Sequence, residues 1–288
     1  MSEAFRQLLD ATLQHMEALK AAGTKYVPVS AETLAALSAP PRRLAVRPSA
    51  HPVLTASRPA APRPVDSSTS TIDSPETLMK KEAKDAALAA LRQSVLVCQK
   101  CPALVKTRSQ VVFGVGDIHS PLMFVGEAPG ADEDAQGEPF VGKAGQLLTK
   151  IIQAMGLSRD TVFIANILKC RPDTPGQTAG NRKPTLDEMK TCLPHLLAQI
   201  DIMEPRVIVA LGATAVGGLL GLTTGITKLR GHFQTFRGIP VMPTYHPAYL
   251  LRNQALAVKR EVWEDMLQVM EKIGMPISEK QRNFFLAR

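Results

Sequence analysis

From residue 88 onward, short continuous apolar runs alternate with longer stretches in which apolar residues recur every three to four positions. The runs Leu122–Gly126, Val162–Ile167, Arg206–Leu211 and Ile239–Pro243 have no polar face and are bounded by turn residues. Such runs predict short parallel strands buried on both sides. Between them, 144–155, 185–202, 213–220 and 255–273 have helical spacing. Pro184 ahead of the second helix, with Asp187 and Glu188 in its first turn, is a start signal. The last helix places Trp263, Leu267 and Met270 on one face. This alternation predicts an α/β fold, a three-layer α/β/α sandwich around a short central parallel sheet.

Upstream the pattern changes. Phe5, Leu8, Leu9, Leu13, Met16 and Leu19 fall at helical spacing before Gly23, predicting an amphipathic helix within 1–38. That helix either packs on the main domain or docks a protein partner. Residues 40–75 hold eight prolines, and a Ser/Thr cluster occupies 67–71. Proline removes backbone donors and the apolar content is too low for a core, so 39–86 reads as a disordered linker and the N-terminal extension as largely unfolded. The expected folded domain is 87–277, with a tail at 278–288.

The overall composition, 45% hydrophobic and 21% charged over 288 residues, excludes a fibrous or wholly disordered chain. No apolar run reaches a membrane span and no secretory signal is visible, so the expected location is cytoplasmic. Of the net charge of +8, residues 1–87 carry 11 basic against 9 acidic groups, and 88–288 carry 23 against 17. The basic excess therefore lies mainly in the folded domain, which permits a polyanionic partner.

Four positions carry candidate chemistry. Cys98 and Cys101 form a C-x-x-C pair, and Cys170 and Cys192 are single and distant. Metal ligation suits four cysteines in a reducing compartment better than disulfides, and spacing alone leaves zinc and an iron–sulfur cluster open. The glycine-rich stretch Gly126–Gly145 begins where the first strand ends, the position at which open α/β sheets bind ligands. Within it Phe140 is either a core plug or a platform for a ring. Asn166, in an otherwise apolar strand, offers an acceptor beside a donor, as base recognition needs. His246 follows the fourth strand and precedes Pro247, with Tyr249, Leu250 and Leu251 next to Arg252 as a core helix start or a wedge into a nucleic-acid stack with the arginine on a phosphate.

Taken together, Gly126-Glu-Ala-Pro-Gly130, Glu133-Asp134, Pro139-Phe-Val-Gly142, Asn166, Lys169-Cys-Arg-Pro172, Asn181-Arg-Lys-Pro184 and His246-Pro-Ala248 resemble the family 4 iron–sulfur uracil-DNA glycosylases. The resemblance covers about residues 88–275. It implies removal of uracil from single- or double-stranded DNA by a monomeric, monofunctional enzyme, nucleoid-associated in a bacterium. It implies a [4Fe–4S] cluster on Cys98, Cys101, Cys170 and Cys192. It also implies Gly126, Glu127 and Ala128 at the uracil pocket, Phe140 stacked on the flipped base, Asn166 reading its edge and His246 near the uracil carbonyl. Ala128 stands where the classical members have a water-activating Asp, so the base is expected to be Glu127, with Glu133 and Asp134 as alternatives. Arg252, Tyr249 and Leu250 are the expected DNA contacts. A related subgroup traps uracil through a His in a basic insertion. The stretch Gly225–His232 lacks that insertion, which favours turnover over trapping and leaves a non-catalytic DNA-binding role as the other alternative.

Overall fold

The computed structural model describes residues 75–173 and 182–286. The expected N-terminal helix, most of the linker and Asn181 lie outside the described residues. In chain order the elements are α1 (Pro75–Leu96), α2 (Pro102–Thr107), β1 (Val115–Gly116), β2 (Leu122–Gly126), α3 (Ala131–Gln136), α4 (Lys143–Ala154), β3 (Phe163–Asn166), α5 (Leu186–Met203), β4 (Val207–Leu211), α6 (Ala213–Leu220), α7 (Ile226–Leu229), β5 (Gln234–Phe236), β6 (Ile239–Thr244), α8 (Pro247–Arg252), α9 (Leu256–Ile273) and α10 (Glu279–Arg282).

The six strands form one sheet in the order β1-β3-β2-β4-β6-β5. The central four are parallel and the two edge strands antiparallel. The edges escape the apolar pattern because they are only two and three residues long and incompletely buried. They cap the parallel sheet on both sides, where long open edges would invite pairing with other chains.

Successive residues of a strand point to opposite faces. Met123, Val125, Phe163, Ala165, Ile208 and Ala210 pack with Leu196 and Ile200 of α5 and Val216 of α6. Leu122, Phe124, Ile164, Val207 and Val209 pack with Leu148 and Ile152 of α4 and with Trp263, Met266 and Met270 of α9. Two cores, one on each side of the sheet, make the α/β/α sandwich that the alternation predicts.

Two boundaries differ from the sequence reading. The helix α1 begins at Pro75, ahead of the expected domain start at 87. Pro75 counts toward the linker by composition, yet proline suits the first helical position, where its missing N–H has no partner to lose. At the other end, residues 278–286 fold back rather than trail away. The Trp263 indole N–H donates to the Gln281 carbonyl at 2.6 Å, and the Phe284 ring lies 5.3 Å from Trp263. A buried indole needs such an acceptor, and the tail supplies it.

The strand order also positions the site. The chain leaves β2 for β3 on one side, then crosses to β4 on the other. Such a reversal opens a crevice beyond the carboxyl ends of the strands. Gly126 of β2 is in register with Asn166 of β3, both at those ends, and His246 follows β6.

Candidate functional site

The loop after β2 is shaped by its own carboxylates. Glu133 on α3 accepts hydrogen bonds from the Gly130, Val141 and Gly142 amides at 3.0, 2.9 and 2.9 Å. Asp134, 3% exposed, accepts from the Ser109 amide at 3.1 and 2.9 Å. Both carboxylates are thus engaged in holding backbone, which argues against either as the expected water-activating base. Glu127 lies on a cavity of about 320 Å³ lined also by Ala128, Pro129, Pro172, Arg182, His246, Ala248 and Arg252.

Behind the loop, Phe140 adopts a left-handed backbone with φ of 55°, unfavourable for a bulky residue. Arg159 holds that turn, donating to the Phe140 carbonyl at 2.9 Å and the Pro139 carbonyl at 2.7 Å. The Phe140 ring comes to rest 5.6 Å from the His246 ring at 30°. A Cβ on Gly126 would collide with both the Phe140 ring and the Asn166 Oδ1. Only glycine lets the three groups meet.

Asn166 is 2% exposed, and its Oδ1 has no hydrogen-bond partner. Its backbone carbonyl is anchored by the fully buried Lys169, whose Nζ donates to it at 3.0 Å and to Gln199 Oε1 at 2.6 Å. An unpaired buried acceptor costs about 1–3 kcal/mol, so its donor comes from outside the described protein, from a bound ligand or an ordered water.

His246 caps α8 through its ring. Nδ1 accepts from the Ala248 amide at 3.1 Å. In the neutral imidazole the hydrogen then sits on Nε2, leaving that nitrogen as a donor. Burial first, and then the Arg252 charge, push the His246 pKa down to about 4, against the opposing pull of Glu133. The ring is therefore a neutral donor at about pH 7.

The expected DNA-contact segment is rephased. Leu250 is 5% exposed and packs with Tyr245 and Val262, so its placement as a DNA contact is corrected. Its neighbour Leu251 is 39% exposed and Tyr249 is 36% exposed. One residue along a helix turns the side chain by about 100°, and the strand preceding α8 sets that phase. Tyr249 stacks 4.8 Å from Tyr245, and Arg252 reaches the cavity wall.

The four cysteines come together at a cavity that Lys169 also lines. Cys98 follows α1, Cys101 precedes α2, Cys170 follows β3 and Cys192 lies on α5, yet all four line one narrow cavity. The Lys169 amide donates to Cys192 Sγ at 3.2 Å, and Arg108 bridges Cys170 Sγ at 3.0 Å and the Cys98 carbonyl at 2.8 Å. Burial raises the pKa of Cys101, of Cys170 and, to about 11, of Cys192. Among the described residues no three His, Cys, Asp or Glu side chains converge closely enough for a single ion. Four thiols lining one cavity form a donor set that suits a metal centre. The unpaired His195 Nε2 on the same cavity fits such a group as well.

The sequence profile of the uracil DNA glycosylase superfamily matches residues 113–267. A type-4 uracil-DNA glycosylase of Thermotoga maritima is 46% identical over 60% of this chain and 88% of its own length. One from Sulfurisphaera tokodaii is 38% identical over 69% and 90%. A type-5 uracil-DNA glycosylase of Pyrobaculum aerophilum is 32% identical over 54% and 80%. The chain belongs to the uracil-DNA glycosylase superfamily, in its type-4 branch.

For a uracil-DNA glycosylase, the useful features of this site are a neutral donor and a carboxylate on one cavity, His246 and Glu127, and an unpaired acceptor, Asn166, beside the Phe140 ring that neighbours His246. Sequence reasoning missed Arg159, Lys169 as an anchor, and His195. Each lies away from the glycine-rich motif. A lysine beside Cys170 and an arginine after a helix read as ordinary surface charges until the fold buries them. Among the described residues, no helix is long and apolar enough to cross a membrane.

Proposed function

We propose that the protein is a monofunctional DNA repair enzyme that flips uracil out of DNA and hydrolyses its N-glycosidic bond, leaving an abasic site. The observation that carries this reading is the buried, unpaired Asn166 Oδ1, which meets the Phe140 ring over Gly126 while that ring lies 5.6 Å from the His246 ring.

A base inside a duplex is out of reach of any pocket, so the nucleotide leaves the stack at a cost of a few kcal/mol. Phe140 provides the flat surface on which the flipped ring lies. Asn166 Oδ1 accepts the N3–H of uracil. Cytosine presents a lone pair at that nitrogen, and a site built for one hydrogen-bonding edge rejects the opposite pattern by about 10⁴ or more.

Cleavage of N1–C1′ sends the bonding electron pair to uracil and leaves positive charge on the sugar. The Nε2–H of His246 donates to the uracil oxygen on which negative charge grows. Because the imidazole is already neutral, it stabilises this anion without transferring its own proton. The Glu127 carboxylate orients the water that adds to C1′ and stabilises the sugar cation. Water contributes its hydroxyl to the sugar, and its proton leaves with uracil or to solvent. Arg252 and Arg182, at the cavity wall, face the DNA backbone.

Cys98, Cys101, Cys170 and Cys192 would hold a [4Fe–4S] cluster, which would supply a structural staple, and the chemistry at the base runs on the protein's own side chains. His232, exposed and absent from the cavity wall, gives no support to covalent trapping.

The test is incubation of the purified chain with uracil-containing single- and double-stranded oligonucleotides. Free uracil with an intact, alkali-labile backbone is the expected product. Binding without release, or a denaturation-stable protein–DNA adduct, would replace this reading with a binding or a trapping role.

A further inference from the structure

Two buried side-chain polar atoms among the described residues have no hydrogen-bond partner: Asn166 Oδ1 and His195 Nε2. The first lies beside Gly126 and the Phe140 ring, in the base-recognition region. The second lines the cysteine cavity, three residues after Cys192 on α5. That spacing puts the imidazole and the thiol on the same side of the helix.

Two sulfurs of this cavity already receive N–H donors from the protein. The Lys169 amide reaches Cys192 at 3.2 Å, and the Arg108 guanidinium reaches Cys170 at 3.0 Å. His195 has an equivalent nitrogen at the same cavity and nothing within the described protein to give it to. We propose that His195 donates a hydrogen bond from Nε2 to a sulfur of the cluster held by Cys98, Cys101, Cys170 and Cys192, completing a shell of donors begun by Lys169 and Arg108. This rests on the reading of the four cysteines as an iron–sulfur site.

Hydrogen bonds to the sulfurs draw electron density from the cluster and favour its more reduced form. His195 thus acts through the cluster, raising its reduction potential and protecting it from oxidation. It is a positioning and tuning residue and does not line the base cavity.

The test uses the full chain purified without oxygen. Iron and acid-labile sulfide are measured first. A wild-type protein without them overturns the cysteine reading and the proposal with it. His195→Phe removes the donor while keeping a planar ring, and His195→Gln returns an N–H near the position of Nε2. The expected result is unchanged iron content in both variants. His195→Phe should show a lower midpoint potential and faster bleaching of the cluster's visible absorbance in air, and His195→Gln should recover toward wild type. Iron-replete His195→Phe with wild-type potential and bleaching overturns the role of His195 while leaving the cluster reading intact. If His195→Phe loses the cluster or the fold, electron–nuclear double resonance on wild-type protein with ¹⁵N-labelled histidine decides. A coupled histidine nitrogen with an exchangeable proton supports the bond, and its absence overturns it.

Discussion

At Asn166 a single side chain combines 2% exposure with an acceptor that nothing in the described protein satisfies. Asn166→Ala should lower kcat/KM for uracil release by about 10²–10³, the usual weight of one positioned polar group. Because that group is unpaired in the free protein, the substitution should leave the urea midpoint unchanged or slightly raised. An equally large loss of stability would show that the amide serves the fold. His246 gives a pH prediction. Its pKa is displaced from 6.5 down to about 4, chiefly by burial. Between those values the unfolded chain binds more protons than the folded one. Stability from this residue is therefore complete above pH ~6.5 and is lost as pH falls toward ~4, by up to about 3 kcal/mol. Urea denaturation across that range should show a shallower acid loss for His246→Gln than for wild type. Uracil release should fall less in His246→Gln, which keeps a donor, than in His246→Ala. Asn166 and His246 stood out as candidates in the sequence because an amide in an apolar strand, or a histidine before proline at a strand end, is out of place there, whereas Glu127 entered only through the family resemblance. The duties of Glu133, Asp134, Lys169 and Arg159 were not, because a hydrogen bond to distant backbone leaves no local trace.

At the scale of elements, the loop from Gly126 to Gly142 and the short helix α8 carry the site. Glu133 ties Gly130 to Val141 and Gly142 across the loop. Glu133→Gln keeps the shape but replaces one charged acceptor oxygen with a donor facing backbone N–H groups. It should cost about 1–3 kcal/mol of stability and weaken substrate binding by loosening Phe140, read as a raised KM at single turnover. Helix α8 separates two adjacent leucines. Leu250→Ala should destabilise the domain by about 2–4 kcal/mol, because it opens a cavity beside Tyr245 and Val262. Leu251→Ala, at an exposed position, should change stability by less than about 0.5 kcal/mol and reduce activity on duplex more than on single-stranded DNA. Thermal melts and parallel activity assays on the two substrates separate these outcomes. The four central strands and the helices α4, α5, α6 and α9 were legible because each keeps its apolar period over at least a full turn or run, whereas the start of α1 was counted into the linker. Edge strands β1 and β5 are too short to show one, and α8 is too short for its phase to be read without β6 ahead of it.

For the whole molecule, the cysteine centre joins segments that nothing else in the sequence relates. It gathers the end of α1, the start of α2, the residue after β3 and the middle of α5. Cys192→Ala should release iron and lower the thermal midpoint by about 6–12 °C, the shift for a loss near 3 kcal/mol in a domain of this size. Calorimetry with iron analysis checks both. By itself the sequence determined the α/β alternation and the carboxyl-end location of the candidate motifs, which follow from apolar periodicity and position along the chain, while the link of those motifs to uracil came from their resemblance to a known family. Tertiary structure alone decided which carboxylate faces the cavity, which leucine faces solvent, and that Lys169, Arg108 and His195 surround the cysteines. Those outcomes depend on contacts between residues tens of positions apart, and such contacts are set by packing across the sheet.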